Sequence, residues 1–202
     1  MNIFRKIKNN RLIRGIFYTW RQIFGFGRSS FGHLSDGSYF TPPNSLINPK
    51  NIFIYGNVCI GNACISALNA KFIVKEGCTL ATGLNVQTGN HARRIGTFVG
   101  DITEANKPEG YDQDVVVEED VWIGSNVTLL SGVMIGRGTT VAAGAVVSKS
   151  MPPYCVCGGI PARFIKFYWT IDQILEHEKK LYSEEKRYTK ETLEQLFLKY
   201  QK

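Results

Sequence analysis

A histidine in a glycine-rich segment is the residue of this chain best suited to proton transfer. The chain has only three histidines, and His91 lies in the segment TGNHARRIG, residues 88–96. A histidine with an unperturbed pKa near ~6.5 is neutral and basic at cellular pH. No cysteine or serine adjoins His91 as an evident nucleophile. The residues therefore favour a general base over a nucleophile that forms a covalent intermediate.

The elements that must position this histidine follow a period of six residues. An apolar residue recurs at every sixth place from Val117 to Val147. Four places after each stands a small or β-branched residue: Val121, Val127, Val133, Thr139 and Ala145. This period fits neither an α-helix nor an alternating strand. It predicts a triangular coil that turns a corner every sixth residue and closes after eighteen.

The same period continues upstream, over residues 54–66 and 74–86. It assigns Cys64 and Cys78 to small inward places, which predicts buried side chains rather than metal ligands. Two insertions interrupt the coils, at residues 67–73 and 88–114. A loop as long as the second is uncommon inside a regular domain and tends to be functional. His91 lies in it.

Helical patterns stand at both ends of the repeats. Apolar residues recur at helical spacing in residues 2–24 and 170–199, with a second helix start at Thr189. Because a solenoid needs its open ends covered, end-capping is the first expectation for both segments. The predicted organisation is a basic amphipathic arm at residues 1–30, a solenoid domain at 31–166 that carries the loop 88–114, and a helical extension at 167–202.

The positive charge of the chain is concentrated in the arm. Seven basic residues precede the first acidic one, Asp36, and the remainder carries 17 basic and 17 acidic side chains. A second hypothesis for the arm is peripheral attachment to the inner face of an anionic membrane. Charge-balanced repeats without a recognition motif argue against nucleic-acid binding. Five cysteines without a CxxC pair, and no signal peptide, predict a reduced, cytoplasmic protein.

Several motifs in order resemble the hexapeptide-repeat acyltransferases, particularly the maltose, galactoside and exopolysaccharide O-acetyltransferases. They are VWIGSNV at 121–127, SGVMIG at 131–136, AAGAVVSK at 142–149, MPPY at 151–154 and GGIPAR at 158–163. The resemblance covers about residues 45–166. It implies a mainly β fold, a left-handed parallel β-helix, and a homotrimer with each active site between neighbouring β-helices. It also implies acetyl-CoA as co-substrate and no metal.

Carried over residue by residue, the resemblance implies His91 as the catalytic base and Glu109 as the residue that orients it, with Asp112 as a competitor. It implies that Asn85 contacts the acceptor and that Trp122 forms a wall of the site. The residues implied to bind acetyl-CoA are Gly124, Ser125, Ala143, Ser148, Arg163 and Lys166. Backbone N–H groups around Gly124 and Ser125 are the candidate oxyanion donors.

With His91 as the base, the resemblance implies direct transfer of an acetyl group, in a ternary complex, to a saccharide hydroxyl on a sugar, an exopolysaccharide or a lipid-linked glycan precursor. An N-acetyltransferase of an amino-sugar nucleotide and a non-catalytic β-helical scaffold are the alternatives. A β-helical carbonic anhydrase would need three zinc-binding histidines, and His33, His91 and His177 are widely scattered. Arg93 and Arg94 either bind an anionic group or remain solvated.

Overall fold

Three parallel sheets form the faces of a triangular solenoid. The structure is a computed structural model that describes residues 10–24 and 26–200. Val117 pairs with Ile135, Thr128 with Val146, and Trp122 with Thr140. Each partner lies eighteen residues further along the chain, so the predicted coil length is confirmed.

The strands are distributed over faces A, B and C. Face A consists of β1 (His33–Leu34), β4 (Ile52–Ile54), β7 (Phe72–Val74), β10 (Val115–Val117) and β13 (Met134–Ile135). Face B consists of β2 (Tyr39–Phe40), β5 (Cys59–Ile60), β8 (Thr79–Leu80), β11 (Trp122–Ile123), β14 (Thr140–Val141), β16 (Cys155–Gly159) and β17 (Ala162–Phe167). Face C consists of β3 (Ser45–Ile47), β6 (Ala63–Ser66), β9 (Leu84–Gln87), β12 (Thr128–Leu129) and β15 (Val146–Val147). All pairings are parallel except that of β16 with β17.

The corners of the coils explain the period of six. A residue with positive φ recurs at every sixth place: Asp120, Asn126, Gly132, Gly138 and Gly144. Glycine enters this left-handed region without a steric penalty, and Asn and Asp tolerate it better than other residues. The chain therefore turns once per hexad, and the next residue, such as Val121 or Val127, points inward and is buried.

Cys64 does not occupy the inward place that its period assigned to it. Its side chain is exposed, whereas Cys78 is buried as predicted. Ile65 lies only five residues after Ile60, and it pairs in register with the inward Val86. This hexad is thus one residue short, so Ala63 fills the small inward place and Cys64 turns outward.

Within residues 10–24 and 26–200, three α-helices lie outside the solenoid: α1 (Arg11–Phe24), α2 (Ile171–Leu181) and α3 (Lys190–Tyr200). Residues 2–9 of the N-terminal helical pattern lie outside the described residues. Thr170 and Gln173 form a capping box at the start of α2. The second start is confirmed, because the Thr189 hydroxyl accepts the Thr192 N–H just before α3.

A buried polar contact attaches the C-terminal helices to the solenoid. The Arg137 guanidinium, which lies between β13 and β14, donates to both carboxylate oxygens of Glu178 in α2, at 3.1 and 3.2 Å. The Tyr154 hydroxyl donates to the same carboxylate. Ile174 and Leu193 are fully buried against Tyr154. The predicted covering role of this extension is therefore seen in its packing on the last coils.

Candidate active site

The loop that carries His91 is closed at its base. Its two ends meet where the Gln113 N–H donates to the Thr88 carbonyl at 3.0 Å. The Ser131 hydroxyl, one coil further on, donates to the same carbonyl at 2.8 Å and accepts the Gln113 N–H at 3.0 Å. The loop therefore leaves the solenoid at a fixed point, the corner between faces C and A.

Asp112 organises the interior of this loop. One carboxylate oxygen accepts the backbone N–H of Asn90 at 2.9 Å. The other accepts the Lys107 ammonium at 2.6 Å and the Asn69 amide at 2.9 Å. Burial opposes the charge on Asp112, but the hydrogen bonds from Lys107, Asn69 and Asn90 outweigh it and lower the pKa of this carboxyl. A charged side chain thus fixes the backbone next to His91.

The His91 imidazole itself is exposed and makes no hydrogen bond within the described part of the chain. Glu109, the predicted orienting residue, makes no hydrogen bond to it. This carboxylate instead lines a small cleft with Asn90, Tyr111 and Ser131. Neither Glu109 nor Asp112 orients the ring directly, because the contact of Asp112 is with the backbone of Asn90. The imidazole is free to accept a proton from a bound molecule.

The outer surface of face C leads away from the loop. Asn85 in β9 lies between Cys64 of β6 and Thr128 of β12 in the ladder. Its side-chain oxygen accepts the Gln87 amide at 3.1 Å. A shallow groove beside it is lined by Pro43, Ser45, Asn62, Cys64 and Asn85. The exposed Cys64 therefore lies on the same surface as the predicted acceptor contact.

The corner between faces B and C holds three of the residues predicted to bind acetyl-CoA. A Cβ at Gly124 would lie 2.6 Å from the backbone nitrogen of Ala143, so the two coils approach each other closely here. The Gly124 N–H donates to the Val141 carbonyl at 2.8 Å, which excludes it as an oxyanion donor. The N–H of Ser125 makes no hydrogen bond to any described residue and remains a candidate.

Face B brings two further candidates into one line. Trp122, Thr140, Val156 and Lys166 are successive partners across four neighbouring strands. Trp122 and Lys166 therefore lie three strand spacings apart, or about 14 Å. Both side chains are exposed, as are Arg163 in β17 and Ser148 after β15.

The candidate residues fall at two opposite edges of face C. Ser125 precedes β12, whereas the loop bearing His91 follows the neighbouring strand β9. A strand of about four residues separates these corners by roughly 13 Å. The structure thus brings Gly124, Ser125 and Ala143 together, and places His91 apart from them within one copy of the chain.

Comparison with known proteins agrees with this architecture. A family model described as bacterial transferase hexapeptide (six repeats) matches residues 114–149. The chain is 34% identical over 122 residues to a probable macrolide acetyltransferase of Lysinibacillus sphaericus, an alignment that covers 60% of this chain and 66% of the relative. It is 31% identical over 125 residues to a galactoside O-acetyltransferase of Escherichia coli, with 61% of each chain covered. The chain is therefore similar to hexapeptide-repeat acetyltransferases over about 60% of its length.

A solved structure of another hexapeptide-repeat protein shares the fold. A hexapeptide-repeat acetyltransferase of Vibrio cholerae complexed with acetyl-CoA has a TM-score of 0.63 at 23% identity, and the match covers 84% of this chain and all of the other. The chain spans slightly less than two thirds of the length of the two curated relatives described above.

The other two histidines of the chain make structural contacts. His33 stacks on Tyr55 with ring centroids 4.6 Å apart, and the His177 ring nitrogen lies 3.0 Å from the Asp120 carboxylate. In the described ranges no group of three or more His, Cys, Asp or Glu side chains is arranged to hold a metal ion. None of the described helices is both long and apolar enough to span a membrane.

Three residues of the site were missed by sequence reasoning. Asn69 and Lys107 hold Asp112, and Ser131 closes the base of the loop. Asn69 lies in the insertion at residues 67–73, which the broken period did reveal. The contact between the insertions at residues 67–73 and 88–114 could not be predicted, because the sequence does not show which coils become neighbours. Arg94 donates to the Asn106 carbonyl at 3.0 Å, which adds a further contact within the loop.

Proposed function

We propose that this protein is an acetyl-CoA-dependent O-acetyltransferase that transfers an acetyl group to a saccharide hydroxyl. The observation that carries the proposal is the placement of His91. Its exposed imidazole has no hydrogen-bond partner in the described chain, yet the adjoining backbone is fixed by Asp112 at 2.9 Å. The placement suits a general base that must meet a substrate proton in a defined position.

The chemistry requires one proton transfer and one exchange of bonds at the acetyl carbon. The imidazole of His91 accepts the proton of the acceptor hydroxyl as the oxygen attacks the thioester carbonyl. The new C–O bond forms, the C–S bond breaks, and the proton passes from the imidazolium to the departing thiolate. General-base catalysis of this kind supplies about 10²–10⁴-fold in rate. The N–H of Ser125 is positioned in the proposed site as a donor to the oxyanion.

Acetyl-CoA is proposed to bind along the B–C corner and the outer surface of face B. The two coils approach closely at Gly124 and Ala143, where the side chains are absent or small. The pantetheine arm of acetyl-CoA is proposed to lie along the backbone at this corner. The row of paired residues on face B runs from Trp122 to the positively charged Lys166. Arg163 lies in the same strand as Lys166. These cations suit the phosphates of the nucleotide. Ser148 is the remaining candidate contact.

A complete site is proposed to need two copies of the chain, within a homotrimer. His91 and Ser125 lie at opposite edges of face C, so a second copy that places its B–C corner beside His91 would complete the site. The outward positions of face A support self-association. They form a continuous apolar row across neighbouring strands, Phe53, Ile73, Val116 and Met134. Such a row is suited to burial against another subunit.

A mixing experiment tests the shared site. His91→Ala removes the base and Ser125→Asp places a negative charge where the anionic co-substrate is proposed to bind, so each variant alone is expected to be inactive. Refolding the two variants together is expected to restore part of the activity, because some interfaces then contain His91 from one copy and Ser125 from the other. No recovery in mixed oligomers of normal size would contradict a shared site.

The acceptor class is tested by turnover. Thiol release from acetyl-CoA is measured with a panel of mono- and oligosaccharides and of amino sugars. The proposal predicts release that depends on a saccharide hydroxyl and a product ester that mild alkali removes. An alkali-stable amide made only from amino sugars would favour the N-acetyltransferase. No acetyl-CoA binding and no turnover would favour the scaffold.

A further inference from the structure

Helix α1 presents an exposed apolar surface. The relative exposures are 72% for Leu12, 41% for Ile13, 63% for Ile16, 58% for Phe17 and 53% for Trp20. The rings of Phe17 and Trp20 stack, with centroids 6.3 Å apart. Exposed side chains of this size are not needed to form the helix itself. Such a contiguous group of exposed apolar side chains indicates a surface that binds a membrane or another molecule.

These side chains occupy one side of the helix. At about 100° per residue, the five positions fall within an arc of roughly 140°. Arg11, Gly15 and Thr19 lie on the remaining side. We call the five exposed apolar residues the α1 apolar face. Its width is that of a helix lying along an interface, with one side in an apolar medium and the other in water.

The positive charge around α1 favours an anionic surface over a second copy of the chain as the binding partner. All of the net charge of +7 arises from residues before Asp36, because the rest of the chain is balanced. Arg11, Arg14 and Arg21 fall within α1 itself. If the α1 apolar face packed against that of a second copy, two arms of like charge would be brought together without compensation. An anionic surface would instead stabilise every one of these cations.

We propose that α1 binds the surface of an anionic lipid bilayer, lying parallel to it with the α1 apolar face among the acyl chains. The aromatic rings of Phe17 and Trp20 suit the boundary between headgroups and hydrocarbon. The positive charge of the arm is attracted by the anionic headgroups. This inference does not rest on the proposed catalytic function, since it concerns a part of the chain that precedes the solenoid.

The test is co-sedimentation of the full-length protein with vesicles of phosphatidylcholine alone or with about 30% phosphatidylserine, an anionic headgroup that attracts basic segments. The proposal predicts at least about ten-fold stronger partitioning into the anionic vesicles, reduced by added salt. Equal partitioning into both kinds of vesicle, or none into either, would overturn it.

A matched pair of variants separates the apolar contribution from charge alone. Ile16→Asp and Thr19→Asp add the same negative charge to α1, but only the first alters the α1 apolar face. Ile16→Asp is expected to reduce partitioning by about ten-fold more than Thr19→Asp, because it also removes buried apolar area. Equal losses would overturn insertion of this face. So would a fall in oligomer size in solution for Ile16→Asp alone, since a second copy would then cover the face.

Discussion

The Asp112 carboxylate accepts the backbone N–H of Asn90 at 2.9 Å, one residue before His91. It is in turn held by Lys107 at 2.6 Å, on the same loop, and by Asn69 from the preceding insertion. This relationship positions the candidate base through its backbone and leaves both ring nitrogens of the imidazole free for a substrate. Under the proposed function, Asp112 therefore positions the candidate base and does not itself contact the reacting atoms.

Replacing Asp112 with Asn should lower kcat more than it changes the KM for acetyl-CoA. The variant keeps the shape of the side chain but loses the charge that attracts Lys107, so the His91 backbone should shift. A small misplacement of a catalytic group lowers turnover by about 10- to 100-fold. Steady-state kinetics check this, and Asp101→Asn in the same loop is the control, since the Asp101 side chain makes no hydrogen bond to a described residue. An unchanged kcat in Asp112→Asn would contradict the positioning role.

The loop should stay ordered in mild acid and loosen in strong acid. The pKa of Asp112 is lowered in the folded protein, because its hydrogen bonds outweigh the effect of burial. Its stabilising contribution is therefore complete above about 4, the ordinary pKa of an aspartate, and is lost as the pH falls through the lower folded value. Amide hydrogen exchange in residues 88–95, corrected for intrinsic rates, should show equal protection at about pH 7 and 5 and reduced protection near 3. Loss of protection between pH 7 and 5 would not fit.

Cysteine alkylation should distinguish Cys64 from Cys78, although the sequence period predicts that both are buried. Cys64 is exposed, whereas burial raises the pKa of the Cys78 thiol to about 12. Because the thiolate is the reactive form, iodoacetamide at about pH 8 should modify Cys64 and leave Cys78 intact. Peptide mass spectrometry identifies the modified residue, with a urea-unfolded sample as the control in which both react. Equal protection of Cys64 and Cys78 in the native protein would contradict the shortened hexad after Ile60.

Removing the carboxylate of Glu178 should strongly destabilise the fold. Glu178 is fully buried and pairs with Arg137 at 3.1 Å. Breaking a buried pair typically costs about 3–5 kcal/mol. The loss is expected near the lower end of this range, because Arg137 keeps its ion pair with Glu119. Urea unfolding of Glu178→Ala measures this cost. The control is Glu176→Ala, whose partner Lys180 is exposed and whose loss should leave the free energy of unfolding unchanged within error. Equal effects of the two variants would exclude a stabilising role for the buried pair.

Much of the fold follows from local pattern in the sequence. From Val117 to Val147 the inward side chains and the left-handed corners share one period, so hexads and an eighteen-residue coil could be predicted. Cys64 shows the limit of this reasoning. A missing residue between Ile60 and Ile65 reverses which side chain points inward, and either register leaves an apolar residue in the core.

The site was less predictable than the fold because its contacts join distant insertions. The sequence identifies His91 by residue type and place. It could not show that Asp112 holds Asn90, or that the Gly124 N–H is occupied by the Val141 carbonyl. Both depend on which coils become neighbours, and that follows only from the completed solenoid.

If His91 is the general base, its replacement by Ala should abolish most of the turnover. Thiol release from acetyl-CoA is measured for the wild type, for His91→Ala and for His33→Ala, a histidine control in the first coil, with the saccharide panel. The account predicts acceptor-dependent release that falls by about 10² or more in His91→Ala, with His33→Ala retaining wild-type turnover. Equal acceptor-dependent release from the wild type and His91→Ala would contradict it.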